Sequence, residues 1–257
     1  MSLGDKIAVC ISGQIRTGVI VAPAVKHFFG SMWPNIDFFI HTWTTESVSS
    51  WGPRDPEEDP NALHRFGQEK INQIIDFYKP KSIKVDDLDL YQSQYKQMIE
   101  HRFDFCYSSI PMLQTLYESN KLKRDYEQSN GTQYKLVVKM RFDQVFEYQH
   151  RFIDELNYIA NKLDYVYVSD PTNRLPDAVE DIFWIANSAN ADIMADLGPV
   201  RSSSEEHNTI DWQQHMRLHL SNHNISVRSM KNNSIFIYRN YHLNRHISPF
   251  DVKLLTN

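Results

Sequence analysis

Two rhythms of apolar and polar residues run along this chain. Short β-rich apolar runs alternate with stretches whose apolar residues recur at helical spacing. "KIAVCIS", Lys6 to Ser12, is the first such run, and it stops at "SGQIRTG". Val21, Ala24, Val25, Phe28, Phe29 and Met32 then fall at i, i+3, i+4 and i+7, which predicts a helix ended by Pro34-Asn35. "IDFFIHTW", Ile36 to Trp43, is a second strand. Strand, helix and strand in so short a span predict a βαβ unit and a parallel sheet with a right-handed crossover.

The polar, acidic, proline-broken stretch from Thr44 to Pro60 reads as a long loop, either solvated or a lid, with Glu57, Glu58 and Asp59 at its acidic centre. A helix is predicted over Leu63 to Tyr78, closed by Pro80, and "KSIKVDDL" is a third strand. Tyr91 to Gln128 reads as one long helix, or two split near Ser108 to Pro111, with Leu113, Leu116 and Tyr117 on its apolar face. After the turn "SNGTQ" comes "YKLVVKMRFDQVFEY", a buried strand that runs straight into Arg141 and Asp143. A helical stripe follows through Phe152, Leu156, Ile159 and Leu163. "DYVYVS" is a strand, "SDPTNRLPDAVED" a polar loop, and "IFWIANS" a strand feeding a helix through Met194 and Leu197. A helix over Glu205 to Asn222 and the short strands "ISVRSM" and "SIFIYRN" complete the pattern. With no internal repeat and no linker, the chain reads as one α/β domain. Residues 6–145 form the more regular half and residues 146–257 a more mixed half.

Composition narrows the possibilities. The 257 residues suffice for a sizeable core, and 41% hydrophobic with 23% charged is ordinary for a globular protein. The formal net charge of -5 and the lack of any Lys/Arg run argue against a nucleic-acid partner, whereas a small anionic ligand needs only a few local cations. Two cysteines, Cys10 and Cys106, are too few for a disulfide framework, and Cys10 in its apolar run reads as a buried thiol. No leader and no apolar run near the length of a membrane span is visible, so a reducing, cytoplasmic setting is expected, with room for peripheral contact with a membrane. The sequons at Asn130, Asn224 and Asn232 are read as chance matches. His215 and His219 have an i, i+4 spacing that zinc can use, but no third ligand in a known pattern accompanies them, so they read as an ordinary helix face.

In open α/β sheets, ligands bind outside the carboxyl ends of the strands. After the first strand come Ser12, Gly13, Gln14, Arg16 and Thr17; after the second, His41, Thr42 and Trp43; after the third, Asp86 and Asp87. Arg141, Asp143 and Gln144 follow the fourth, and Ser169, Asp170, Asp177, Glu180 and Asp181 the next. Such a rim suits a nucleoside diphosphate. Trp43 is placed to stack on a base with His41 beside it. Ser12 and Gly13 line the first turn. Arg16 and Arg141 suit phosphate oxygens, and Asp143 suits a divalent cation. "SGQIRTG" lacks the spacing of a phosphate loop or a dinucleotide fingerprint, which argues against a P-loop kinase and a dehydrogenase.

Four blocks, "KIAVCISGQIRT", "FFIHTW", "YKLVVKMRFDQVF" and "DIFWIANSANADIM", together resemble bacterial and viral glycosyltransferases of the GT-A type, including enzymes of surface-polysaccharide assembly. The resemblance spans roughly residues 6 to 200. It implies a Rossmann-like sheet, a nucleotide-sugar donor, a glycan or lipid-linked acceptor, and an Asp-x-Asp motif that binds manganese or magnesium with the diphosphate. Here that motif reads Arg141-Phe142-Asp143, with a cation where the first acid would stand. An inverting enzyme also needs a carboxylate base; Asp181 is the candidate and Glu180 the second. Retaining chemistry would not need it. Two other readings stay open: a non-catalytic nucleotide- or glycan-binding module of the same fold, and a nucleotidyltransferase, for which "SGQIRTG" is a poor match.

Overall fold

The computed structural model describes residues 5–47, 63–65, 68–91, 93, 105–169, 179, 182–198, 212–231 and 235–237. The first strand, β1 (Ile7–Ser12), leads into α1 (Gly18–Met32) and β2 (Ile36–Trp43). A small antiparallel ribbon of β3 (Thr45–Ser47) and β4 (Leu63–Arg65) follows, then α2 (Gln68–Tyr78) and β5 (Ser82–Asp86). The long α3 (Phe105–Asn130) returns the chain to β6 (Leu136–Met140) and β7 (Gln144–Phe146). Then come α4 (His150–Ile159), β8 (Val166–Val168), β9 (Trp184–Ala186), α5 (Ser188–Ala195), α6 (Trp212–Asn222), β10 (Val227–Ser229) and β11 (Ile235–Ile237).

Seven strands form one sheet in the order β10-β8-β9-β6-β1-β2-β5. All neighbours are parallel except β9, which runs antiparallel to both β6 and β8. The chain is therefore α/β with a mostly parallel central sheet flanked by helices. The predicted βαβ unit is present, with β1 and β2 paired from Ile7↔Ile36 to Ser12↔His41. The β5-β2-β1-β6 half has the order of a Rossmann-like unit. The chain winds outward from β1 to β5, then crosses back through α3 to pair β6 on the other side of β1. The winding thus reverses between β1 and β6, the kind of switch point at which open α/β sheets bind ligands beyond the carboxyl ends of their strands.

Alternation along the strands builds the core on both faces. Ile7, Val9 and Ile11 pack with Val21, Val25, Phe28, Phe29, Ile74, Phe152 and Leu156, so α1, α2 and α4 cover one face. Ala8 and Cys10 pack with Leu113, Leu116, Trp184, Met194 and Leu220, so α3, α5 and α6 cover the other. Burial pushes the Cys10 thiol up to about 12, so at neutral pH it is a packed, protonated group.

One expectation of secondary structure changes. Leu63–Arg65 is a strand, not the start of the next helix, because its backbone pairs with Thr45–Ser47, inside what reads from sequence as loop. In the run from Tyr134 to Tyr148 the strand ends at Met140, before Arg141 and Asp143, as expected; the short β7 that follows leaves the main sheet to pair antiparallel with β11. The break between β6 and β7 puts Arg141, Phe142 and Asp143 in a turn.

Candidate anion site at the switch point

The turn after β1 carries two unusual backbones. Gly13 has φ +114, a conformation suited to glycine, and a Cβ there would meet open space. Arg16 has φ 47, the left-handed region that costs a non-glycine residue roughly 1–2 kcal/mol. Such a conformation is retained where surrounding structure over-determines it, commonly at ligand sites. Thr17 caps α1 without a side-chain cap hydrogen bond, and the first turn holds no acid, so the positive end of this helix dipole meets no side-chain carboxylate of its own first turn. Gly18 follows because Phe142 presses on it: a Cβ at Gly18 would stand 2.8 Å from the Phe142 Cβ.

That contact brings the turn after β6 against the turn after β1. Arg141 donates from Nε to Asp143 Oδ1 at 3.0 Å and from Nη2 to Oδ2 at 2.8 Å, a bidentate pair. Arg16 Nη1 donates to the same Oδ2 at 3.3 Å. Asp143 is 1% exposed, whereas the side chains of Arg16 and Arg141 remain 23% and 20% exposed. A buried carboxylate is costly unless paired and hydrogen-bonded, and two guanidiniums meet that demand. Two guanidiniums thus face one carboxylate, and both keep part of their side-chain surface exposed. Gln144 Oε1 accepts from the Arg141 N–H at 2.6 Å, while its buried Nε2 has no partner among the described residues.

His41 and Trp43 sit on the β2–β5 side. His41 is fully buried, with Nε2 3.0 Å from Asp86 Oδ2 and Nδ1 without a partner among the described residues. The hydrogen bond from His41, with help from Lys84, lowers the Asp86 carboxyl to about 2. Lys84 Nζ lies 2.9 Å from Asp86 and 3.1 Å from Glu118, which ties β5 to α3. Trp43 is only 2% exposed; His41 stands edge-on to it at 5.2 Å, and Tyr91 lies against it at 5.1 Å. These two residues are packed into the wall of the rim. Ser12, 3% exposed, neighbours His41 in register, and the Gly13 N–H donates to the His41 carbonyl at 3.2 Å.

Ser12, Gly13, Arg16, Arg141 and Asp143 therefore lie at the carboxyl ends of β1 and β6, with His41 and Trp43 at the adjoining end of β2. Asp181 and Glu180, as well as Asp170 and Asp177, lie outside the described residues, as do Glu57, Glu58 and Asp59 of the predicted lid. Lys139 escaped the sequence reading. It is 2% exposed, on the same sheet face as Cys10 and Trp184, and its Nζ lies 3.5 Å from the Ile182 carbonyl at the entry to β9. The signal was present, since a lysine inside "LVVKM" must either leave the core or find acceptors there. His219 Nε2–H donates to the Ile193 carbonyl at 2.7 Å, a structural contact between α6 and α5.

A divalent cation asks for about six oxygen ligands. The described residues near Asp143 do not fit one. Both carboxylate oxygens face guanidinium N–H groups, the leftover buried amide nitrogen is a further donor, and among the described residues no group of three or more His, Cys, Asp or Glu is arranged to hold a metal. The turn is rich in donors; its natural complement is an anion.

No protein-family model matches the chain, and no curated protein matches it. Among solved structures it is similar to the glycosyltransferase GlyE of Streptococcus pneumoniae TIGR4, at 8% identity and a TM-score of 0.40, over 88% of this chain and 45% of that one. The apo form of that glycosyltransferase gives 9% identity and a TM-score of 0.41, over 87% and 45%. The chain thus spans just under half the length of that protein. This distant likeness assigns no activity. Among the described residues, no helix is long and apolar enough to cross a membrane.

Proposed function

We propose that this chain is a glycosyltransferase that moves a sugar from a nucleotide-diphosphate-sugar donor to a glycan or lipid-linked acceptor. One observation carries the reading: two partly exposed guanidiniums converge on one buried carboxylate at the β1/β6 switch point. Breaking the bond from the anomeric carbon to the diphosphate leaves negative charge on the departing oxygens. Preorganised cations and a helix N-terminus stabilise that charge without reorganising during the reaction. Arg16 and Arg141 take this role, and the open backbone at Gly13 lets the diphosphate approach the chain closely.

Ser12 lies beside the same turn, while His41 and Trp43 shape the wall toward the base. The GT-A type of fold, an acceptor base at Asp181 or Glu180, and a cytoplasmic place in polysaccharide assembly belong to this same proposal. The four sequence blocks support the fold type, the base and the link to polysaccharide assembly.

The test is a thermal-shift panel of nucleoside diphosphates and nucleotide sugars. It is followed by an assay for release of nucleoside diphosphate from whichever sugar donor binds. A ligand that binds only the native state raises Tm by mass action. The expected result is a shift with one base, lost in Arg141→Ala, and slow release of the diphosphate from its sugar donor. Binding without release, with candidate acceptors supplied, would make the chain a binding module. No shift at millimolar concentrations would remove the donor site altogether.

A further inference from the structure

The Arg-x-Asp turn stands where the resemblance leads one to expect a metal-binding acid pair, and its geometry argues for different chemistry. We infer that Asp143 is a counter-ion that aims two guanidiniums, and that the site holds a diphosphate without a divalent cation. The inference rests on the diphosphate reading above and says how that ligand's charge is met.

Three observations support it. Arg141 reaches both oxygens of Asp143, and Arg16 shares Oδ2 from the other turn, so a cation placed on this carboxylate would face two fixed positive charges at contact distance. Asp143 is 1% exposed, so reaching it would mean displacing the guanidiniums that satisfy it. The guanidiniums, by contrast, keep 20–23% of their side-chain surface exposed. The planar fork of Arg141 is held by its bidentate bond, leaving little rotational freedom to lose when an anion arrives. Arg16 comes from the β1–α1 turn and Arg141 from the turn after β6, so the two cations reach Asp143 from different turns. The metal's usual service, neutralising a diphosphate, falls here to two side chains whose spacing Asp143 sets.

The probe is inorganic pyrophosphate, titrated calorimetrically into the intact chain in excess EDTA and then with free magnesium. The expected result is binding in EDTA, with affinity changed less than about threefold by magnesium once the free anion concentration is corrected. Arg141→Lys should weaken binding about tenfold in both buffers, because lysine keeps the charge and loses the fork. Asp143→Asn should weaken it in both buffers alike, since the guanidiniums lose their common anchor. Should Asp143→Asn fail to fold, Arg141→Lys and Arg16→Lys carry the comparison. Binding that appears only with magnesium, or a loss in Asp143→Asn confined to the magnesium buffer, overturns the inference and leaves the diphosphate reading in place. No binding in either buffer overturns both.

Discussion

Gly18, the first residue of α1, packs directly on Phe142: a Cβ at Gly18 would stand 2.8 Å from the Phe142 Cβ and 3.1 Å from its ring. The contact joins the helix that follows Arg16 to the residue between Arg141 and Asp143. It adds to the β1–β6 pairing and to the Arg16–Asp143 bond, which links residues 127 apart in sequence.

Gly18→Ala is therefore expected to act at a distance. Overpacking costs about 1–3 kcal/mol of stability, read from urea unfolding. Because Phe142 must move, pyrophosphate affinity should fall as well, although position 18 need not touch the ligand. A stability loss with unchanged affinity would show that the two turns are not rigidly coupled.

Arg16 offers the opposite signature. Arg16→Gly relieves the left-handed backbone, worth about 1–2 kcal/mol, but gives up one of two guanidiniums and some unfolded-state advantage. Thermal stability should stay within about 1 kcal/mol of wild type, while pyrophosphate binding drops at least tenfold. If both fall together, Arg16 serves the fold rather than a ligand.

Lys123 is a structural counterexample to the site arginines. It is fully buried beneath α5, with Glu127 Oε2 at 3.0 Å, Asp192 Oδ1 at 2.8 Å and a short bond to Ser188. Glu127 also accepts the Tyr134 N–H at 2.7 Å, which links the end of α3 to the approach of β6. Lys123→Met removes the cation from between two carboxylates and should cost about 3–5 kcal/mol, measured by chemical denaturation, with no specific effect on anion binding in the folded fraction.

Asp86 predicts a pH dependence. Its carboxyl is lowered in the folded state to about 2 by the hydrogen bond from His41 and by Lys84, from an ordinary value near 3.8. A depressed acid stabilises the fold above its unfolded pKa, and that contribution fades as pH falls from about 4 toward 2. The Tm gap between wild type and Asp86→Asn should be full at pH 6 and shrink steadily below pH 4. A gap independent of pH would assign the effect to packing.

Much of the scaffold was legible because its periodicity is local. "KIAVCIS" and "IDFFIHTW" show strand composition, and the spacing from Val21 to Met32 shows a helix, so the βαβ unit and its crossover follow from short-range pattern and chain handedness. The placement of Ser12, Gly13, Arg16, Arg141 and Asp143 after strands was likewise readable, since a parallel strand delivers whatever follows it to one edge. Leu63–Arg65 was misread because three residues beside a helical stripe carry too little pattern, and only pairing with Thr45–Ser47 makes them a strand. Strand β7 was not foreseen, because apolar composition does not record which sheet a short segment joins.

The sequence by itself determined the fold class, the polar rim and the identity of the charged groups on it, because hydrophobic periodicity and charge are properties of neighbours along the chain. Only the tertiary structure decided who partners whom. That β6 lies against β1, that Arg16 meets the same carboxylate as Arg141, and that Trp43 is enclosed by His41 and Tyr91 all depend on contacts between distant segments. Asp143 read from the sequence as an acid in search of a metal. In the fold its two oxygens meet two guanidiniums, because burial leaves a carboxylate no alternative to being paired.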